Sequence, residues 1–302
     1  MSGRTNNERI ALYRSRKLGE KINDAVDFMK QNRRLLTRLA VYILLPVAIV
    51  QSIAVYGISN MVDKDLSEYW RSVLTYMTMA MLSGVFVITV AVTLVMAYRE
   101  HGPEWLREAG FRDVWRLLWR NFRRTLLSLL LDMVLLLPVT LVMLIVLVIP
   151  IVNFVFPAAF ALMIGFLLML PLVYTLDLAP SINALSAVRK TWRLGWAQWG
   201  RLMGLMIVVF IIMTIVQGVV DLPFYVLFAV KETLINDHSQ AGNLGSSILY
   251  NVIFFLVTVI RTFYAAVAEV LGTLILVYHY GRVADVEEDA SLSADIANFE
   301  NL

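Results

Sequence analysis

The sequence predicts an all-α integral membrane protein. Six transmembrane helices are expected, with three amphipathic helices lying on the cytoplasmic face, arranged as three repeated units. Three observations point there. Of 302 residues, 59% are hydrophobic and 16% charged, with a mean hydropathy of +0.72; a soluble domain carries roughly 25% charged residues. Apolar runs of about twenty residues recur, each enough to cross a hydrocarbon core of about 30 Å. Finally, residues 181–204 place Ile182, Leu185, Val188, Trp192, Trp196 and Trp199 three or four apart, with Arg189, Lys190 and Arg193 elsewhere on the wheel. Polarity then vanishes at Leu202. That pattern describes a helix lying flat in the membrane interface, followed by a chain that enters the bilayer.

Residues 1–38 read as a cytoplasmic segment. Within it, residues 18–36 form an amphipathic pattern, with Ile22, Ala25, Val26 and Met29 on one face and Glu20, Asp24 and Asp27 off it. The long polar start lacks the short charged region and early apolar core of a signal peptide. The first span, 39–58, is therefore expected to act as an uncleaved insertion signal, kinked at Pro46. A polar loop with Asp63, Asp65 and Glu68 leads to the second span, 73–98, with Tyr98 and Arg99 as interface residues.

Residues 99–124 make the second surface segment. Arg112, Arg116, Arg120 and Arg124 stand four apart as a basic stripe, and Trp115, Leu118, Trp119 and Phe122 make the apolar side. Spans three and four, 125–149 and 151–176, are joined tightly between Pro150 and Pro157. The third surface helix precedes span five, 202–220, which Asp221 and Pro223 interrupt. A polar loop from 231 to 246 follows. The last apolar run, 247–280, is longer than a bilayer needs, and its membrane part is placed at 261–280. The remainder, 222–230 with 247–260, would then form an apolar hairpin near the outer surface. The membrane domain is thus 39–280, and 281–302 is an acidic cytoplasmic tail.

Six spans put both termini on one side. Ten Lys or Arg lie within 1–38, seven within 99–124 and four within 177–201, against Lys64, Arg71 and Lys231 in the opposite loops. The positive-inside rule therefore places both termini and all three surface helices in the cytoplasm. The junctions also align. An amide residue, Asn32, Asn121 or Gln198, recurs just before an arginine and an apolar run, at offsets of roughly eighty to ninety residues. Each unit comprises a surface helix and two spans, so the repeats would be parallel.

The stretch SAVRKTWRLGWAQWGRLMGLMIVVF (186–210) resembles the junction of bacterial six-span inner-membrane proteins grouped with the membrane domain of glycerophosphoryl diester phosphodiesterases. The likeness implies fold and location in the bacterial cytoplasmic membrane. It does not carry the enzyme activity over. That activity belongs to a separate barrel domain for which this chain has no room, and His101, His238 and His279 are scattered.

Charges inside apolar runs are the sharpest chemical signals. Asp132 lies about 12 Å into span three and Glu269 near the midplane of span six, at about 1.5 Å per residue. Each is a functional candidate by default, in a proton or cation relay or a polar site between helices. The plainer reading of each is an interhelical hydrogen-bonding group, with Gln217, Asn251 or a Ser or Thr as partner. Arg261 is either intramembrane, paired with a carboxylate, or an ordinary arginine of the outer interface. The arginine stripe of 112–124, with Arg189, Lys190 and Arg193, is a candidate for binding anionic headgroups. Trp115, Trp119, Trp192, Trp196 and Trp199 are expected as interface anchors. Gly200 and Gly204 form one small-xxx-small pair. The chain has no Cys, and no phosphate loop, nucleophile elbow or metal motif is present, so no catalytic residue, metal or cofactor is expected.

The expected activity is non-catalytic: organising the membrane or scaffolding a partner. The alternative is a transporter or lipid-moving protein using Asp132, Glu269 and Arg261. Expected partners are anionic lipids on the cytoplasmic face, and a protein partner or second copy of the chain, with no nucleic acid.

Overall fold

A computed structural model describes residues 16–59, 66–146, 163, 167–176, 183–236 and 248–288. Among these, all regular structure is helical. In order, the helices are α1 (Leu18–Gln31), α2 (Arg33–Leu39), a π-helical turn (Ala40–Leu44), α3 (Leu45–Ser59), α4 (Leu66–Glu108), α5 (Phe111–Val146), α6 (Leu167–Leu176), α7 (Ala184–Ala197), α8 (Trp199–Asn236) and α9 (Ile248–Glu288). Four stretches are long and apolar enough to cross a membrane: Arg33–Tyr56, Val73–Glu108, Trp199–Val230 and Ile248–Glu287. The hairpin expected between spans three and four lies outside the described residues, as do most of span four and the acidic tail.

Proline and glycine shape the first two spans. The kink expected at Pro46 takes the form of the π-helical turn just before it. Proline has no N–H to offer and its ring crowds the preceding carbonyls, and the wider turn absorbs both. α4 breaks at Gly102, whose φ of 83° is left-handed. Only glycine adopts that without a Cβ penalty, and Pro103 then opens a new helical turn. The next segment starts with Asp113 reaching back to its beginning: the Gly110 amide donates to Asp113 Oδ2 at 2.6 Å.

Two junctions share one backbone device. α1 ends at Asn32 (φ −103°, ψ 20°) and α7 ends at Gln198 (φ −124°, ψ 22°), and in each case the next helix starts at once. Asn32 Nδ2 donates to the Phe28 carbonyl at 2.9 Å. Asn121, the third amide of the expected series, stands inside the unbroken α5 and donates to Thr93 Oγ1 at 3.1 Å. The second surface segment is therefore not a separate helix at its junction; it runs straight into the apolar half of α5.

The later spans differ from expectation more. Asp221 and Pro223 do not interrupt span five, because α8 runs unbroken from Trp199 to Asn236. The last apolar run is one helix, α9, of 41 residues. Gly200 and Gly204 face open space, so that pair brings no helix close. Tyr98 is buried edge-on against Phe28 at 5.2 Å, and Arg99 donates to the Leu176 carbonyl at 3.2 Å. Tyr98 therefore packs inside the first unit, while Arg99 stays exposed.

The chain divides into two compact units. One holds residues 1–36, 88–208 and 273–302, and the other holds 37–87 and 209–272. The core of the first is built on Phe28, Leu94, Leu106, Leu170, Leu172, Leu194 and Leu274. The second buries Leu39, Leu44, Ala48, Val85, Phe254 and Val270.

Candidate functional site

The polar side chains of the second unit converge on a cavity of about 150 Å³. One face of α9 supplies Arg261, Thr262, Ala265, Ala266 and Glu269, spaced as one stripe of a helix. α4 contributes Tyr76, Ala80 and Ser83, again one face, α3 contributes Gln51 and Val55, and α8 contributes Gln217. Alanines and Ser83 leave the room that larger side chains would fill. The volume suits about five water molecules at about 30 Å³ each. Glu269 lines this cavity and is exposed.

The end of the cavity formed by Arg261 is held by a bidentate ion pair. Arg261 Nε donates to Asp221 Oδ1 at 2.7 Å, and Nη2 donates to Oδ2 at 3.4 Å. Gln217, one helical turn before Asp221, donates to the same Oδ1 at 2.9 Å. The guanidinium also sits over the Phe224 ring, 4.5 Å from its centroid. Such a planar fork against a carboxylate is the geometry Lys cannot reproduce. Around it, Phe224 packs on Phe254 at 5.3 Å, and the Tyr250 hydroxyl donates to the Leu227 carbonyl at 2.6 Å. On the facing side Ser52 donates to the Ala48 carbonyl at 2.6 Å and reaches Thr262 at 3.3 Å.

Arg261 and Glu269 thus share one cavity, eight residues or about 12 Å apart along α9. Asp132 is not part of it. That carboxylate belongs to the first unit, buried to 5% exposure, with Oδ1 lacking a hydrogen-bond partner. It ends a buried stripe on α5, Asn121, Thr125, Ser128 and Asp132. Gln51, Tyr76, Ser83 and Thr262 escaped the sequence reading, and Asp221 entered it only as an interruption of span five. Its place in the site was legible through its spacing: Gln217 and Asp221 are four apart, which puts them on one helical face.

The surface candidates divide by exposure: on α5, Leu118, expected beside Trp115 and Trp119, is buried instead. On α5, Phe111, Trp115, Trp119 and Phe122 form a continuous row, with Trp115 and Trp119 stacked at 6.4 Å and exposed. Arg112 and Arg116 are exposed, Arg120 pairs with Glu100 at 3.3 Å, and Arg124 reaches the Tyr174 carbonyl at 3.5 Å. The stripe is therefore not four equivalent cations. On α7, the buried face is Ala187, Thr191, Leu194 and Gly195. Leu185, Trp192 and Trp196 are exposed, at 81%, 50% and 44%, while Arg189 and Arg193 are exposed and Lys190 is half-buried. Trp199, at the start of α8, is half-buried.

On α1 the buried face is rotated from the expected one. Lys21, Asp24, Ala25 and Phe28 are buried, and Ile22, Val26 and Met29 are half-buried. Asp24 accepts from Arg16 Nε at 2.6 Å and Lys21 Nζ lies 2.7 Å from His279 Nδ1. Those contacts share the buried face with Ala25 and Phe28. Burial, with Arg282, Arg201 and Arg16 adding repulsion, lowers the Lys21 amine from its ordinary 10.5 to about 8.

Among the described residues no group of three His, Asp or Glu side chains could hold a metal ion. No protein-family model, curated protein or solved structure matches this chain. The site is therefore read from its own chemistry.

Proposed function

We propose that this chain is a multi-pass protein of the bacterial cytoplasmic membrane, without catalytic activity. It binds a small polar or charged solute, or a lipid headgroup, in the cavity beside Glu269 and moves it across part of the bilayer. The observation that supports this is the polar lining of that cavity, with a carboxylate at one end and an ion-paired arginine at the other. An apolar bundle gains nothing in stability from such an arrangement, since intramembrane charge is costly and is tolerated where it lines a path.

In this reading the chain has six spans, with the apolar half of α5 and the chain ending in α6 as the third and fourth, and both termini cytoplasmic. Taking Leu202 and Tyr280 as cytoplasmic boundaries, Asp221 and Arg261 are each nineteen residues away, about 29 Å, at the outer edge of the hydrocarbon. Glu269 is eleven residues from Tyr280, about 17 Å, near the midplane. The cavity then runs from midplane to outer interface. α8 and α9 continue beyond it, as the expected apolar hairpin.

The test uses the absence of native cysteine. Ala265→Cys and Ser83→Cys should react with a membrane-impermeant maleimide applied from the outer side of oriented vesicles, and Ile215→Cys, exposed on α8 away from the cavity and near the midplane, should not. Silence at both cavity positions from either side would sink the transport reading. Labelling that survives in Glu269→Gln with lost solute flux would locate the function at that carboxylate.

A second reading, membrane organisation, has its own support. Leu185 and Trp192 of α7 are exposed and line a groove of about 950 Å³ edged by Arg189, Lys190 and Arg193. A surface of that kind suits lipid tails with anionic heads. The repeated-unit reading rests on the shared break at Asn32 and Gln198.

A further inference from the structure

A second site lies in the first unit, where α1 meets the ends of α8 and α9 that carry Arg201 and Arg282. Four cations gather there: Arg16, Lys21, Arg201 and Arg282, with Arg16, Arg201 and Arg282 close enough to Lys21 to oppose its protonation. Asp24 is the acid among them, and it is committed to Arg16 at 2.6 Å. Arg16 is further fixed over the Tyr278 ring at 4.8 Å, and its carbonyl accepts from Arg282 Nη1 at 3.0 Å. Glu287 accepts from Gln198 at 3.0 Å. Positive charge is therefore in surplus around a buried centre.

The hydrogen bonds define what is missing. An ammonium has only donors to offer, so His279 Nδ1 accepts from Lys21 Nζ, 2.7 Å away. The imidazole proton then sits on Nε2. Nε2 is buried without a partner, in a residue that is 1% exposed. Arg282 Nε, whose hydrogen can only donate, is also buried without a partner. Two unpaired buried donors amid surplus positive charge need an acceptor with negative charge. A buried donor left unsatisfied costs roughly 1–3 kcal/mol, so such a pair in a well-packed region calls for a reason.

We propose that this cluster binds a phosphate group, with His279 Nε2 and Arg282 Nε donating to its oxygens and Lys21 and Arg201 supplying charge. Arg201 is exposed and Arg282 half-buried, which leaves the way in from the side of Arg201. Phosphate on a lipid headgroup and free phosphate share this chemistry, and the tetrahedral oxygens suit donors that converge from several helices. The site is separate from the cavity beside Glu269 and does not depend on it.

The test uses the full-length protein in nanodiscs in chloride buffer. Inorganic phosphate is titrated into phosphatidylcholine discs, and in the other arm phosphatidylglycerol is included in the discs, with thermal unfolding and calorimetry as readouts. Stabilisation by inorganic phosphate assigns a free phosphate; stabilisation by phosphatidylglycerol alone assigns a headgroup. Either supports the proposal when Arg201→Gln and Arg282→Gln weaken the effect roughly ten- to a hundredfold and the distant Arg112→Gln does not. Arg201 is exposed, so its variant folds even if Arg282→Gln does not. No response to either probe, or a response unchanged in Arg201→Gln, overturns the proposal.

Discussion

At the scale of single residues, the Asp221–Arg261 pair makes the sharpest claim. Asp221 is buried, and Arg261 is its bidentate partner with Gln217 in support. Removing the guanidinium in Arg261→Gln leaves the carboxylate without its charge partner. The expected loss is about 2 kcal/mol, read as a lower unfolding temperature in detergent. Asp221→Asn with Arg261→Gln should cost less than the two single changes added together, because each single change strands its partner. An additive result would mean the pair contributes nothing as a pair. Lys21 gives a second residue-scale outcome, in pH. Its folded pKa, about 8, lies below the ordinary 10.5 of the unfolded chain. Between those values the unfolded state holds the proton and the folded state gives it up. Stability therefore rises with pH from about 8 to about 10.5 and is flat below 8 on this account. Lys21→Met should flatten the rise. Equal slopes in both proteins would contradict the burial of that amine. Neither effect could be read from the sequence. Lys21 sits among charged neighbours, and only the approach of His279, from 258 residues away, makes it special.

At the scale of elements, α7 separates an exposed face from a packed one. Its two leucines face opposite ways: Leu194 is 1% exposed and Leu185 is 81% exposed. Leu194→Ala should cost about 2–5 kcal/mol, as for other large-to-small changes in a core, whereas Leu185→Ala should stay within about 0.5 kcal/mol. Melting curves of the two variants in the same detergent decide it, and similar losses would mean the helix is rotated from the orientation described. The sequence placed Leu185 with Trp192 and Trp196 on one apolar face and left open which side meets the protein. Periodicity finds faces but does not say what covers them. In α1 it chose a face one position away from the buried one, which holds the ion pair of Asp24 beside Ala25 and Phe28. Breaks are harder still. Asn32 and Asn121 read alike, yet only the first ends a helix. Asn32 turns its amide back to the Phe28 carbonyl of its own helix, whereas Asn121 donates to Thr93 of α4.

At the scale of the whole molecule, composition and run length carried the all-helical class and the long apolar helices. They could not say how far each helix goes. Asp221 with Pro223 reads as a stop, because a charge next to proline commonly ends a helix. The acid is instead neutralised by Arg261, forty residues later, and the helix continues. A sequence window has no access to a partner on another helix. The orientation of the chain rests on the distribution of Lys and Arg, and it has a direct test. In the cysteine-free background, Gly19→Cys in α1 should react with an impermeant maleimide only in inside-out vesicles. Asn243→Cys, between α8 and α9, should react only in right-side-out ones. Six spans and four spans both return the chain to its starting side, so a third position decides between them. Asn153→Cys, between α5 and α6, should react from the outside if both of those segments cross. It should react from the inside, or not at all, if neither does. Labelling of Gly19→Cys and Asn243→Cys from the same side would reverse the assignment of α8 as a membrane-crossing helix. The cavity beside Glu269 would then have no outer side to open toward.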